Sequence, residues 1–271
     1  MLRTLVAVLL LALGLEAAPP FHTKEGQGPG ILFIHGFGGN REVWKEVSAA
    51  LVRDHTVIRV DLPGSGERPG PALVEGGADF RAIARDLAEL VAREGIAPCI
   101  VVGHSMGGPI AALAVLEAPE RFRGLVLVDS FLTALPVPLV EPILQGLDKD
   151  ASATLEGFYG SMTAHEAQRD RIVAEALQVP VPVLQAYLKG MIRDPFGSRR
   201  TDLKLPVAQF AAGPAESDAV KARARLTQAG LDALPRLRVV PFPKSRHWPM
   251  WDEPERFLAE LRAFEAGLAI R

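Results

Sequence analysis

The sequence predicts an α/β domain with a mainly parallel sheet covered by helices on both faces. Two short, continuously apolar runs, residues 31–34 and 100–102, are bounded by turn residues, the pattern of strands buried on both faces. Segments of helical periodicity lie between such runs, so that strand and helix alternate three times before residue 130. The same rhythm resumes after residue 204.

Taken in order, the strand over 31–34 leads into His35-Gly36-Phe37-Gly38-Gly39, and Asn40 is placed to cap a helix with apolar positions at Val43, Val47 and Leu51. A second strand over 56–60 ends at Asp61-Leu62-Pro63-Gly64-Ser65-Gly66, and a Gly/Pro-rich loop runs on to Gly77. Phe80, Ile83, Leu87, Leu90 and Val91 share one face of a helix over 79–94, which Gly95 closes. A strand over 100–102, a helix over 109–118 stopped by Pro119, and a strand over 124–128 follow. The rhythm then breaks. Residues 131–203 hold several prolines and no strand pattern, and read as mostly helical, with apolar positions such as Leu135, Leu139, Phe158, Tyr159 and Leu188. A strand over 207–211, a helix over 219–229, a strand over 237–242 and a last helix from Pro254 to about residue 268 complete the chain. The middle block is therefore expected as an insertion into one α/β core, whose two segments are 18–130 and 204–271.

Residues 1–17 stand apart. Arg3 supplies a positive charge, residues 4–15 are almost wholly apolar, and Ala17-Ala18 offers small residues for cleavage, the layout of a secretory signal peptide. The run is too short to span a hydrocarbon core of ~30 Å comfortably. Export to the periplasm or beyond is expected, with no stable membrane insertion after cleavage; an uncleaved anchor or a misplaced start codon are the alternatives. Lys+Arg number 30 against Asp+Glu 32, a net charge of −2, which gives no electrostatic case for a nucleic-acid partner. The one cysteine, Cys99, cannot form an intrachain disulfide and reads as a buried strand residue.

Gly103-His104-Ser105-Met106-Gly107 carries the chemistry. A serine that is to act as a nucleophile must be exposed on a tight, strained turn, and glycine two residues before and two after permits that turn. The strand before it, and the helix after it with Ala111, Ala112 and Ala114, supply the strand–turn–helix context that makes the pattern specific. The helix start also brings backbone N–H groups to the serine. The loop His35–Gly39 follows an earlier strand on the same sheet edge, so the Phe37 N–H and the Met106 N–H are the candidate oxyanion donors. Of six histidines only His165 and His247 follow Ser105, and His247, in the loop after the last strand, is the candidate base. His104 and His35 read as residues that order the loops, and His22 and His55 as surface residues. Three carboxylates compete as its acid. Asp218 ranks first by its spacing to His247, Glu216 has the better offset from Gly213, and Asp129 directly follows a neighbouring strand.

Phe33-Ile34-His35-Gly36-Phe37-Gly38-Gly39, Asp61-Leu62-Pro63-Gly64-Ser65-Gly66, Gly103-His104-Ser105-Met106-Gly107-Gly108 and His247-Trp248-Pro249-Met250, in this order, resemble the α/β-hydrolase superfamily, its capped serine-esterase-like branch. The resemblance runs from about Gly28 to the C-terminus. It implies a helical cap between the sixth and seventh strands and a Ser–Asp–His triad, with Ser105 matching the nucleophile, His247 the base, and Phe37 and Met106 the oxyanion donors. Two departures stand out. Glu216, not Asp218, occupies the usual offset of the acid, and little chain precedes Gly26 to form the family's opening antiparallel strand. Cleavage of a small-molecule apolar acyl or aryl ester through an acyl-enzyme is the expected reaction, since an apolar cap favours such substrates. Carbon–carbon bond hydrolysis, thioester hydrolysis, perhydrolysis, or non-catalytic binding on the same fold are the alternatives. No metal-ligand spacing and no dinucleotide fingerprint are present, so no cofactor is expected.

Overall fold

The computed structural model describes residues 21–70 and 76–268, and the signal-like segment lies outside them. Among the described residues seven strands form one sheet in the order β1-β3-β2-β4-β5-β6-β7. They are β1 (His22–Glu25), β2 (Gly30–Ile34), β3 (Thr56–Val60), β4 (Cys99–His104), β5 (Phe122–Val128), β6 (Val207–Ala212) and β7 (Leu237–Phe242). β1 pairs antiparallel with β3, and every other pairing is parallel. The continuously apolar runs are explained by this topology: every residue of β2, β3 and β4 is buried, because helices cover both faces of a parallel sheet. Cys99 is one of them, and burial pushes its thiol up to about 12, so it is an inert core residue.

The helices are α1 (Lys45–Leu51), α2 (Phe80–Arg93), α3 (Gly107–Glu117), α4 (Val137–Lys149), α5 (Ala151–Gly160), α6 (Glu166–Ala176), α7 (Val181–Met191), α8 (Ala219–Gln228), α9 (Pro249–Asp252) and α10 (Pro254–Leu268). α2 packs on α3, and α1 on α10, giving one helix layer on each side of the sheet. α2 shows why its residues form a helix there: the Asp79 carboxylate caps the amides of Arg81 and Ala82, and Phe80, Ile83, Leu87, Leu90 and Val91 turn their stripe inward. α3 has no such stripe. Its residues from Gly107 to Val115 are buried all round, as expected of a helix pressed between sheet and neighbours.

Two expectations about strands need correction. The opening antiparallel strand, doubted because little chain precedes Gly26, is present as β1, four residues long and paired with β3 from His22↔Val60 to Glu25↔Val57. Four helices, α4–α7, occupy the break in the rhythm, and among the described strands they lie between the fifth and sixth rather than the sixth and seventh. Just one strand, β1, precedes β2 among the described residues.

Candidate active site

Parallel strands end on one edge, and β2, β4, β5 and β7 deliver their following loops there. β4 delivers Ser105, whose backbone is held in the left-handed region at φ 49°. A non-glycine residue in that region is strained, and strain of this kind persists where surrounding contacts over-determine it. Those contacts are visible. The Ser105 amide donates to the Val128 carbonyl on the adjacent strand at 2.9 Å, and the Ser105 carbonyl accepts from the Gly108 amide at 2.9 Å and the Ser130 hydroxyl at 2.6 Å. The flanking glycines are required by close approach: a Cβ on Gly103 would lie 2.4 Å from the Gly107 carbonyl oxygen, and one on Gly107 2.6 Å from that of His35. The oxyanion-loop candidate is thus pressed directly against the turn that carries the serine.

His247 lies in the loop after β7. Its ring Nδ1 is 2.6 Å from the Asp129 carboxylate, and its backbone amide donates to the Met162 carbonyl at 3.1 Å. The preceding loop is fastened by carboxylates: Glu253 accepts from the Lys244 amide and the Ser245 hydroxyl, both at 2.9 Å, and Asp252 from the Arg246 amide at 2.8 Å. The basic stretch before His247 is therefore tied down by its backbone. Beneath it, His104 donates from Nε2 to the His247 carbonyl at 2.8 Å, with the two rings 4.6 Å apart. Burial holds the His104 ring well below its ordinary pKa, so it is a neutral donor and no competing base. His35 has the matching role on the neighbouring strand. Burial lowers its pKa, its Nδ1–H donates to the Gly36 carbonyl at 2.8 Å, and its Nε2 accepts from the Leu62 amide at 3.0 Å. Both order loops, as their place in the motifs suggests. His55, read as a surface residue, is instead buried, because its two ring nitrogens are bonded to Asp54 and Glu265 at 2.7 Å each.

The acid ranking is corrected by the structure. Asp218, placed first, is exposed and caps α8, accepting from the Val220 and Lys221 amides at 2.8 and 3.1 Å. Glu216 pairs with Arg225 at 3.3 Å. Both lie on a loop that turns away beyond Gly213 toward α8, and the carboxylate that meets His247 is Asp129, ranked third. Asp129 sits at the end of β5, its amide bonded to the Phe210 carbonyl at 2.8 Å and its second oxygen accepting from the Ala212 amide at 3.2 Å. It is also strained, at φ 41°, and Asp129 and Ser105 are the two non-glycine residues of positive φ among the described residues.

Ser105, His247 and Asp129 open into one cavity of about 180 Å³. Phe131, Leu135 and Val140 close one side, and Phe158, Ile172 and Met191 from α5–α7 close others. Sequence reasoning missed how Tyr159 serves the site: its hydroxyl donates to the Phe37 carbonyl at 2.8 Å, fixing the peptide of the oxyanion-loop candidate. No local pattern signals that contact, which joins residues far apart in the chain. Phe37 and Met106 are both buried at the serine's edge of the sheet, Met106 immediately before α3. Among the described residues no group of three or more His, Cys, Asp or Glu side chains is arranged to hold a metal, and no helix is long and apolar enough to cross a membrane.

Comparison with known proteins agrees with this fold. The chain is 29% identical over 254 residues to the pimeloyl-[acyl-carrier protein] methyl ester esterase of Aeromonas hydrophila, covering 88% of this chain and 96% of that one. Among solved structures, an esterase from Exiguobacterium antarcticum superposes with a TM-score of 0.77 at 17% identity, covering 90% of this chain and 94% of that one. A bromoperoxidase from Bacillus anthracis gives 0.79 at 20% identity, with 90% and 94% covered. Proteins with different named reactions thus share this fold, and at such identities the likeness speaks for the fold alone. The sequence profile of the alpha/beta hydrolase family matches residues 31–260, from β2 into α10, and the chain belongs to that family.

Proposed function

We propose that the protein hydrolyses carboxylic esters with apolar acyl or aryl groups through a covalent acyl-enzyme. The observation that carries this reading is the 2.6 Å contact of His247 Nδ1 with Asp129, made on the wall of the cavity that also holds Ser105. Donation from Nδ1–H to the carboxylate leaves Nε2 as the free nitrogen, the state a general base needs. Nε2 takes the Ser105 hydroxyl proton as the oxygen attacks the ester carbonyl. The carbonyl electron pair moves onto oxygen, where the Phe37 and Met106 amides stabilise it, each such donor being worth ~3 kcal/mol in the transition state. Collapse expels the alcohol, which receives the proton from His247, and water activated by the same nitrogen releases the acid. The curated relative named above, itself called a methyl ester esterase, supports this reading, as does the apolar wall of the cavity. Residues 1–17 are proposed to direct export, on their sequence pattern.

Covalent labelling tests the central claim. A fluorophosphonate probe should modify Ser105, and Ser105→Ala should lose that label and lower ester turnover by about 10⁴ or more. Stoichiometric labelling of another serine in the variant would overturn the assignment.

A further inference from the structure

Glu175 is the one carboxylate of the cavity wall, among the described residues, that the proposed mechanism does not use. It lies in the last turn of α6, the end where a helix disfavours negative charge. The next residue, Ala176, touches the oxyanion loop: a Cβ on Gly38 would lie 2.8 Å from the Ala176 Cβ. Glu175 shares the cavity wall with the apolar side chains Val43, Ile172 and Trp251. Burial raises its carboxyl above the ordinary value and like-charged Glu42 adds to this, while Arg171 offsets some of it. Arg171 Nε donates to Glu175 Oε1 at 3.1 Å. That guanidinium is shared: it also approaches Glu46 at 3.6 Å and lies 4.5 Å over the Trp251 ring. Of this pair Glu175 lines the wall and Arg171 does not, so the carboxylate is the member that faces the cavity. Among the described residues no hydrogen bond reaches Glu175 Oε2.

A carboxylate kept in an apolar wall, at an unfavourable helix end, with one oxygen free, discriminates by charge. We propose that Glu175 determines the substrate class of this pocket: esters whose remote end carries a hydrogen-bond donor, a hydroxyl or an ammonium group, are favoured, and esters carrying a carboxylate there are rejected. The proposal rests on the ester-hydrolase reading. Its physical basis is that like charges in a partly desolvated cavity repel several-fold more strongly than in water, and an unpaired acceptor gains from a donor.

The test compares kcat/KM for methyl hexanoate, methyl 6-aminohexanoate and monomethyl adipate, which share a chain and differ in the charge at its end. Glu175→Gln should raise the adipate-to-hexanoate ratio by about tenfold and lower the aminohexanoate-to-hexanoate ratio by about fivefold. Arg171→Met, which strips the countercharge and leaves the carboxylate, should move the first ratio the other way by about threefold. Ratios that stay fixed, or three esters that change by one common factor, overturn the assignment. Rates of Ser105 labelling by fluorophosphonates with neutral, ammonium and carboxylate tails supply the same ratios without turnover. If Ser105 labels and the ratios do not move, the Glu175 proposal alone fails. If Ser105 does not label and no ester is cleaved, the ester-hydrolase reading fails and carries this proposal with it.

Discussion

Asp129 does two jobs with two oxygens, one on the Ala212 amide and one on the His247 ring. Its strained backbone is the cost of aiming both at once from the end of a strand. Removing the charge while keeping the shape should therefore leave the protein folded and the reaction crippled: Asp129→Asn is expected to lose about 10³–10⁴ in turnover, because the amide holds the wrong imidazole tautomer. Asp218→Ala should do the opposite. Turnover stays within about twofold, while loss of the α8 cap lowers stability by ~1 kcal/mol. Ester turnover and thermal melts on the two variants separate these outcomes, and an inactive, well-folded Asp218→Ala protein would return the role to the loop after β6. Spacing along the chain ranks Asp129 last of the three candidate acids, because spacing does not record that the segment after Gly213 turns toward α8. Ser105 and His247 are legible because each sits in a local motif with its own strand before it. Tyr159 and Glu175 are not, because their roles exist only once α5 and α6 fold over the sheet edge.

At the scale of elements, the turn between β4 and α3 depends on absences. Gly107 has His35 and Ile34 carbonyl oxygens at 2.6 and 2.7 Å from where a Cβ would be. Backbone cannot yield as a side-chain tip can. Gly107→Ala should therefore cost roughly 1–3 kcal/mol and push the oxyanion loop off the serine. The expected readout is a melting temperature lowered by several degrees together with turnover reduced more than stability alone explains; a variant of native stability and rate would show that the loops are less tightly fitted. The alternation of buried strands and helices is readable from apolar runs because a parallel sheet buries both faces of each strand, leaving few polar residues, such as Arg59 in β3, to blur the pattern. β1 is harder to see. Four residues, His22-Thr23-Lys24-Glu25, carry no apolar run, since an edge strand paired on one side has half its surface to itself.

At the scale of the whole molecule, export is the remaining expectation, and it is checked on native material: the mature chain should begin near Ala18, and an intact Met1 would favour an anchor. The family frame, the sheet and its order of motifs follow from the sequence, whereas the cavity does not, being built from segments more than a hundred residues apart such as Val43 and Trp251. How the site holds together in time depends on which strands carry its members. Ser105 and Asp129 end neighbouring strands joined through a single helix, and the Ser105 amide is bonded across to the Val128 carbonyl. The proposed nucleophile and acid thus belong to one strand–helix–strand unit at the centre of the sheet, the kind of unit that opens as a whole or not at all. Only His247 arrives from elsewhere, on a loop after the edge strand β7. Under the proposed mechanism, breathing of the β6–β7 margin would therefore interrupt catalysis by withdrawing His247, while Ser105 and Asp129 on their adjacent strands stay in register, ready for its return.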